Sequence, residues 1–509
     1  MTLHLSIMLW IPLAFGLAGL LLPARLAPKL ALAGTLLVLG YAITYVVGFQ
    51  SSQGALQYVT DETWIAELGI SYALGLDGLN LFLVLLTAIL WFSCTLWATF
   101  WTPEHAADNP RLFYFHLALA QTSVLGALLA QDLALFVVFF DLMLVPFFFL
   151  TGIWGGARRV HATMKLVIYT LVGSLLMLTA AVATGVLAAE GTDPVSFAFA
   201  DLAQRSLSSS TQNWLFLAFA AAFLVKMPAF PFHGWMPDGY KAMPLPVLAL
   251  FSGVLSKVAA YGFLRICLPF FPDASAHFQT LMLLIALASI LYGSVMAFTT
   301  TQVRLILGYS SIAQLGFIVL GIFALNAQGA QGAILQSFNH GLVVAPAFFI
   351  VALLSARAGG SEDLRDMGGI ATRAPVLTTL FLIVTFATLA MPGSSNFVGE
   401  FLILLGVFET KMAIAIIASS GVVLAATYAL RLFIRSVHNR TGPRVEAREM
   451  ERRDGLVLVP LVLAILAIAL YPQFALQRSE QTVTSLTTPP PATQGEAAVA
   501  PEFQIERAP

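Results

Sequence analysis

Apolar residues in this chain come in unbroken runs of about twenty, separated by short polar connections. They neither alternate with a strand's period nor confine themselves to one helix face. Fourteen runs begin near Leu3, Leu30, Gly78, Leu112, Leu133, Met164, Asn213, Pro244, His277, Arg304, Ala330, Pro375, Met412 and Gly455. A helix rises about 1.5 Å per residue, so a run of this length matches the hydrocarbon thickness of a bilayer. Each run is therefore predicted to cross a membrane as a helix, giving an all-α polytopic protein. No Lys or Arg precedes the first run, so it is predicted as a retained helix and not a cleaved signal.

Between the runs, residues 50–77 carry Asp61, Glu62 and Glu67 but no base, and read as an extramembrane connection. Residues 190–212 form a Ser-rich loop and 437–454 a charged one, while the Pro/Ala-rich sequence from 477 to 509 is expected to be disordered.

Two runs are interrupted. The seventh breaks at Lys226-Met227-Pro228, followed by Pro231 and His233-Gly234, and the twelfth at Ala390-Met391-Pro392-Gly393-Ser394-Ser395. The breaks lie five runs apart, and an odd offset makes the halves insert with opposite orientation. This predicts two inverted five-helix repeats, runs 4–8 and 9–13. Interrupted helices at matching positions of inverted repeats mark transport sites. Broken backbone at membrane depth needs protein or a wet cavity to satisfy its freed polar groups. The expected organisation is 1–111 (helices 1–3), 112–265 (first repeat), 277–436 (second repeat), 437–476 (loop and helix 14) and 477–509 (tail).

Composition agrees with a membrane protein: 59% of residues are hydrophobic and 10% charged. Charge placement adds orientation. Of 25 Lys and Arg, eighteen fall in odd-numbered connections and five (Arg205, Arg265, Lys411, Arg478, Arg507) on the other side or in the tail. By the positive-inside rule both termini face away from the cytoplasm. Cys94 and Cys267 lie in apolar runs without metal-ligand spacing, and no phosphate-binding loop, dinucleotide fingerprint or nucleophile elbow is present. Asn439-Arg-Thr matches a glycosylation sequon but falls in the loop assigned to the cytoplasm.

The remaining cations, Lys226 and Lys257, lie within apolar runs, as do Asp141 and Glu400. A charge at bilayer centre costs about 2.5–3.5 kcal/mol or more, so such groups pair, line water or carry ions. Lys226 is too deep in its run to snorkel readily, with apolar sequence beyond it. Asp141 is its natural partner; a static ion pair pinning two helices is the plainer alternative. Glu400 follows the second break, where a carboxylate could also cap a half-helix. His340 is a lone histidine on an apolar run, ordinarily a satisfied core residue, but it lies in the run between those holding Lys257 and Glu400, which puts a relay role on an equal footing. His233 beside the first break and Asp132 at the start of run five are secondary candidates. His116 reads as structural and Lys165 as an interfacial anchor.

These residues sit in stretches that resemble a known family, the antiporter-like membrane subunits of respiratory complex I, and M-type chains in particular. The stretches are LGLDGLNLFLVLLT (74–87), DLMLVPFFFLTGIWGG (141–156), KLVIYTLVGSLLML (165–178), FLVKMPAFPFHGWMPDGY (223–240), LSKVAAYGFLR (255–265), LGYSSIAQLGF (307–317), NHGL (339–342) and the Glu400 segment. The resemblance implies a subunit of a NADH:quinone oxidoreductase of the bacterial plasma membrane, translocating protons while quinone is reduced elsewhere. NADH, flavin, iron-sulfur clusters and quinone would belong to other subunits. Partners would be L-, N- and K-type membrane neighbours and the bilayer, with no nucleic acid. Lys226, Lys257, His340 and Glu400 would form the proton path with Asp141. Relatives usually have Trp-Glu at the helix-five acid, where this chain has Phe140-Asp141. Gln314 stands where many have histidine, and Gln302-Val-Arg-Leu departs from a more charged pattern. Rival readings are a subunit of an Mrp-type sodium/proton antiporter, the equivalent subunit of a membrane-bound hydrogenase-type complex, and a spacer with a dead channel. Four costly buried groups argue against the last, and an acid at Glu400 in place of lysine argues against the first.

The charge asymmetry makes a direct prediction. In intact cells an impermeant thiol reagent should label Thr493→Cys and spare Thr441→Cys. The reverse pattern would overturn the fourteen-helix topology.

Overall fold

A computed structural model describes residues 4–52, 54–100, 109–189 and 194–487. The chain opens with helices α1 (Leu5–Leu21) and α2 (Ala27–Gly48), then a hairpin of β1 (Gln57–Ile65) and β2 (Ile70–Leu76). Helices α3 (Leu81–Phe100), α4 (Pro110–Leu129), α5 (Leu133–Leu142), α6 (Leu144–Trp154) and α7 (Arg159–Leu187) follow. After α8 (Ser209–Lys226) and α9 (Met236–Ala242) comes a composite helix, α10 (Leu245–Phe270). The remainder is α11 (Gln279–Thr299), α12 (Val303–Ile322), α13 (Ala327–Arg357), α14 (Pro375–Thr388), α15 (Ser395–Val437), α16 (Arg452–Leu470) and α17 (Gln473–Thr487).

Among the described residues, 11 helical segments are long and apolar enough to cross a membrane, with α1 and α14 as shorter apolar helices. The α5–α6 pair counts as one, because Met143 keeps helical angles between them. Runs twelve and thirteen share α15, whose 43 residues bend at Lys411. Such a helix is about 65 Å long, roughly twice the hydrocarbon thickness, so the bend does the work expected of a loop.

Both expected breaks occur. Backbone after Lys226 leaves the helix, and α9 starts ten residues later; α14 ends at Thr388 and α15 starts at Ser395. Ala390 there has φ 51°, a left-handed conformation that strains a residue with a Cβ.

The tail expectation needs correction. Residues 477–487 belong to α17, whose Ala475, Ser479, Thr482 and Val483 are buried on one face. That stripe is short and polar, and the Pro/Ala-rich sequence beyond it dominated the composition. Residues 488–509, including Thr493, lie outside the described residues. The 50–77 connection is also more ordered than a loop. Its hairpin turns at Gly69, with φ 65°, where a Cβ would meet the Val195 carbonyl at 1.9 Å, so only glycine fits.

Short backbone clamps tie the membrane helices at two places. Leu133 N donates to Phe197 O (2.7 Å) and Phe199 N to Gln131 O (2.9 Å); Val303 N donates to Glu362 O (2.9 Å) and Leu364 N to Thr301 O (2.8 Å). Each clamp joins the start of a helix (α5, α12) to the chain that follows the next long one (α7, α13). On the surface beside α9, Lys165 contacts Asp238 at 2.7 Å, and its ammonium holds that carboxyl below the usual carboxylate range.

Centrally, α10, α12 and α13 are enclosed by the other helices. Close approach of α10 to α13 depends on glycine: a Cβ on Gly341 would lie 2.5 Å from the Gly253 carbonyl. One buried ion pair was not expected from sequence. Arg265, assigned above to a connection, faces inward from α10 and pairs with Asp77, while its Nε donates to Tyr261 Oη at 3.0 Å. Asp77 Oδ1 also accepts from Leu79 N at 2.9 Å, and Asn80 Nδ2 donates to Gly75 O and Leu128 O, so the pair fastens the hairpin's end to α4 and α10.

Removing one partner of such a pair strands the other charge, at about 3–5 kcal/mol. Arg265→Ala should therefore lower the chain's thermal stability in detergent more than the double change Arg265→Met with Asp77→Leu. Equal or greater loss in the double variant would show that the pair is not what matters there.

Candidate functional site

Lys226 ends α8 at the first break and is buried. Its Nζ donates to the Phe140 carbonyl of α5 at 2.6 Å and lies 3.6 Å from the centroid of the Phe140 ring. A ring face attracts an ammonium, and a carbonyl accepts its hydrogen bond, so both replace lost water. Asp141 is adjacent and interacts electrostatically with Lys226, but no ion pair within 4.0 Å joins them. Asp141 is half-buried, and its Oδ1 makes no hydrogen bond to protein.

Lys257 is fully buried on α10. Here the helix widens into a π turn over Phe251–Leu255. Lys257 Nζ donates to Ser252 O at 2.6 Å and to Ser256 Oγ at 3.2 Å. Such turns loosen the regular backbone ladder and recur at functional sites. Both buried lysines thus rest on backbone carbonyls.

From Lys257 a polar series crosses the centre of the molecule. Ser252 Oγ lies 3.3 Å from Ser311 Oγ on α12, and Gln314 is one turn further along that helix. Gln336 Nε2, on α13, donates to Gln314 Oε1 at 2.7 Å and to Glu400 Oε1 at 3.3 Å. Glu400 is buried in the first turns of α15, after the second break. His340, one turn from Gln336, is buried and interacts electrostatically with Lys257. A void of about 10 Å³, room for roughly one water, is lined by His340, Ser310, Ser311, Gln314 and Asn396. Ser310 also donates to Tyr428 Oη at 2.9 Å.

Sequence reasoning missed the bridging amides and hydroxyls. Gln336 and His340 are spaced i, i+4 on one helix, a legible signal. Ser252, Ser311 and Gln314 carry no charge to mark them out.

The other candidates go elsewhere. Asp132 caps α5: Oδ1 accepts from Leu135 N and Oδ2 from Ser71 N, both at 3.0 Å, so the carboxylate holds the hairpin to the helix. His233 packs among Phe230 and Tyr292, with centroid separations of 5.7 and 4.7 Å, and its Nδ1 has no protein partner. His116 contacts the Leu112 carbonyl at 2.7 Å, as a structural residue would. Among the described residues, no side-chain hydrogen bond joins the Lys226 cluster to the Lys257 series.

A family model described as "NADH:quinone oxidoreductase/Mrp antiporter, TM" matches residues 130–425, which include the whole polar series. The chain belongs to this family. It is 35% identical over 458 residues to NADH-quinone oxidoreductase subunit M of Rhodobacter capsulatus, covering 88% of each chain. Among solved structures, a chain of respiratory complex I from Thermus thermophilus superposes with a TM-score of 0.85 at 29% identity, covering 96% of this chain and 100% of that one. A chain of the Mrp complex from Dietzia sp. DQ12-45-1b gives a TM-score of 0.83 at 21% identity, covering 96% and 98%, and shares the fold. This is an antiporter-like membrane subunit of the complex I type.

Orphaned polar atoms collect around its second break. Glu400 Oε2, Gln336 Oε1, Gln314 Nε2, His340 Nδ1 and both amide atoms of Asn396 are buried without a protein partner. Buried polar atoms in this number require water. A high-resolution cryo-EM map of the assembled complex should show ordered water within about 3.2 Å of Glu400 Oε2 and Asn396. A dry map at both would dissolve the case for a hydrated site.

Proposed function

We propose that this chain is the M-type subunit of a NADH:quinone oxidoreductase and carries protons across the membrane through Lys226, Lys257, His340 and Glu400. The observation that carries the reading is the polar series from Lys257 to Glu400: Lys257 donates to the Ser252 carbonyl, the Ser252 and Ser311 hydroxyls are paired, and one helical turn beyond Ser311 a second hydrogen-bonded stretch runs from Gln314 through Gln336 to Glu400. Amides donate and accept but do not readily take up a proton. Transfer along this series therefore runs through water beside the glutamines, with His340, Lys257 and Glu400 as the groups that load and release it. Asp141 modulates Lys226: as its charge changes, the ammonium on the Phe140 carbonyl is stabilised or released.

The finer architecture belongs to the same proposal. Fourteen crossings form two inverted repeats, supported by the two Met-Pro breaks and by the matching clamps at α5 and α12. Electron transfer occurs in other subunits, L-, N- and K-type neighbours adjoin this chain, and both termini face away from the cytoplasm of a bacterial inner membrane. An Mrp-type role shares the fold, but the acid at Glu400 and the M-type identity support the oxidoreductase.

Lys226→Ala and Glu400→Gln should assemble, keep electron transfer measurable and lose most of the pumping attributable to this subunit in proteoliposomes. Asp141→Asn should lower turnover, and Asp141→Glu should keep it. Full pumping by Glu400→Gln would remove that residue from the path, and full turnover by Asp141→Asn would reduce the helix-five acid to a structural role.

A further inference from the structure

The loop between α15 and α16, with the adjoining helix ends and the turn before α14, gathers arginines whose neighbouring acids are mostly held in caps and pairs. Arg373, Arg435, Arg440, Arg444, Arg448 and Arg452 are exposed, and among the described residues none has an ion-pair partner. The acids around them are engaged. Glu362 pairs with Arg304, Asp363 with Arg365, and Glu451 with Arg453 at 2.8 Å. Glu449 accepts from Val376 N and Leu377 N at 2.8 and 3.1 Å, capping α14; Asp366 accepts from Ser361 Oγ at 2.6 Å; Asp454 is buried in the capping box of α16. Glu446 alone is left exposed without such a bond.

These arginines are near one another in space. The Gly368 turn lies against the Arg435 and Arg440 carbonyls, and Arg444 lies beside Gly359. The Arg448 carbonyl accepts from Arg357 Nε at 2.8 Å, so the loop is pinned to the end of α13. They also border the chain's exposed apolar band: Ile434 (45% exposed) adjoins Arg435, Val376 (48%) lies one turn past Arg373, and Leu456 (63%) one turn past Arg452.

We infer that this surface binds the headgroups of anionic phospholipids in the leaflet it borders. Topology alone would need only the number of basic residues. It would not require the acids to be committed to caps and pairs while the arginines stay open. Continuity with the apolar band selects a diacyl lipid over a soluble anion, because the tails lie along α14, α15 and α16 while the phosphate meets the guanidinium groups. The inference is independent of the proton path and of which leaflet the loop faces.

The test uses the whole membrane complex. One variant carries Arg435, Arg440, Arg444 and Arg452 all changed to Gln, and a second carries Lys at the same positions. Each is purified, and phosphatidylglycerol retained per complex is counted by native mass spectrometry. Retention should fall about threefold or more for the Gln variant, stay near the parent level for the Lys variant, and fall in the parent as salt is raised. Added glycerol phosphate should not displace the lipid; displacement would identify a soluble-anion site. Unchanged retention in an assembled Gln variant overturns the proposal. If that variant does not assemble, the parent decides: retention indifferent to salt overturns it equally. Loss of a soluble subunit from the Gln variant, with lipid retained, would assign the patch to a protein.

Discussion

What the interior must solve is how to keep two lysine amines where no water is guaranteed. The chain answers both times with a backbone carbonyl, Phe140 for Lys226 and Ser252 for Lys257, each at 2.6 Å. A carbonyl accepts a hydrogen bond from an ammonium and from a neutral amine alike. It therefore positions the lysine without fixing its charge, which a carboxylate at contact distance would do. Groups further off interact with the lysines electrostatically: Asp141 with Lys226, and His340 with Lys257. The more buried ion pairs, Arg265 with Asp77 and Arg304 with Glu362, use guanidinium groups, which do not release protons.

The two halves of the molecule use polarity differently. Around Lys226 the neighbours are aromatic: Phe140 and Phe223 lie 5.7 Å apart, and Phe223 and Phe263 5.2 Å. Around Glu400 they are amides and hydroxyls, several unpaired. The enclosed α13 carries Gln336, Asn339 and His340 within about one turn, so the second half is organised around one polar stretch of helix.

Much of this was legible beforehand because the bilayer is a strict solvent. Length and apolarity marked the helices, Met-Pro marked both breaks, and charge in an apolar run marked Lys226, Lys257 and Glu400. Uncharged side chains fell below that threshold, since Ser and Gln occur in many membrane helices for packing alone. Arg265 was misread for a different reason: it sits near a helix end, where an exposed cation is ordinary, and only the fold brings Asp77 to it from 188 positions away. The α17 helix escaped because short amphipathic segments lack the long apolar run on which the rest of the reading relied.

On the proposed proton path, the void beside His340 and Gln314 would set a size limit on what can pass. At about 10 Å³ it admits a single water, enough to hand a proton from one hydrogen bond to the next. A metal cation would have to shed its hydration shell here and replace it from Asn396, two serines, a threonine, one glutamine and a histidine, with no carboxylate lining the void itself. On that path, selectivity for protons over larger cations would be a consequence of tight packing on α12 and α13, and widening the void by trimming Val343 or Val344 would relax it.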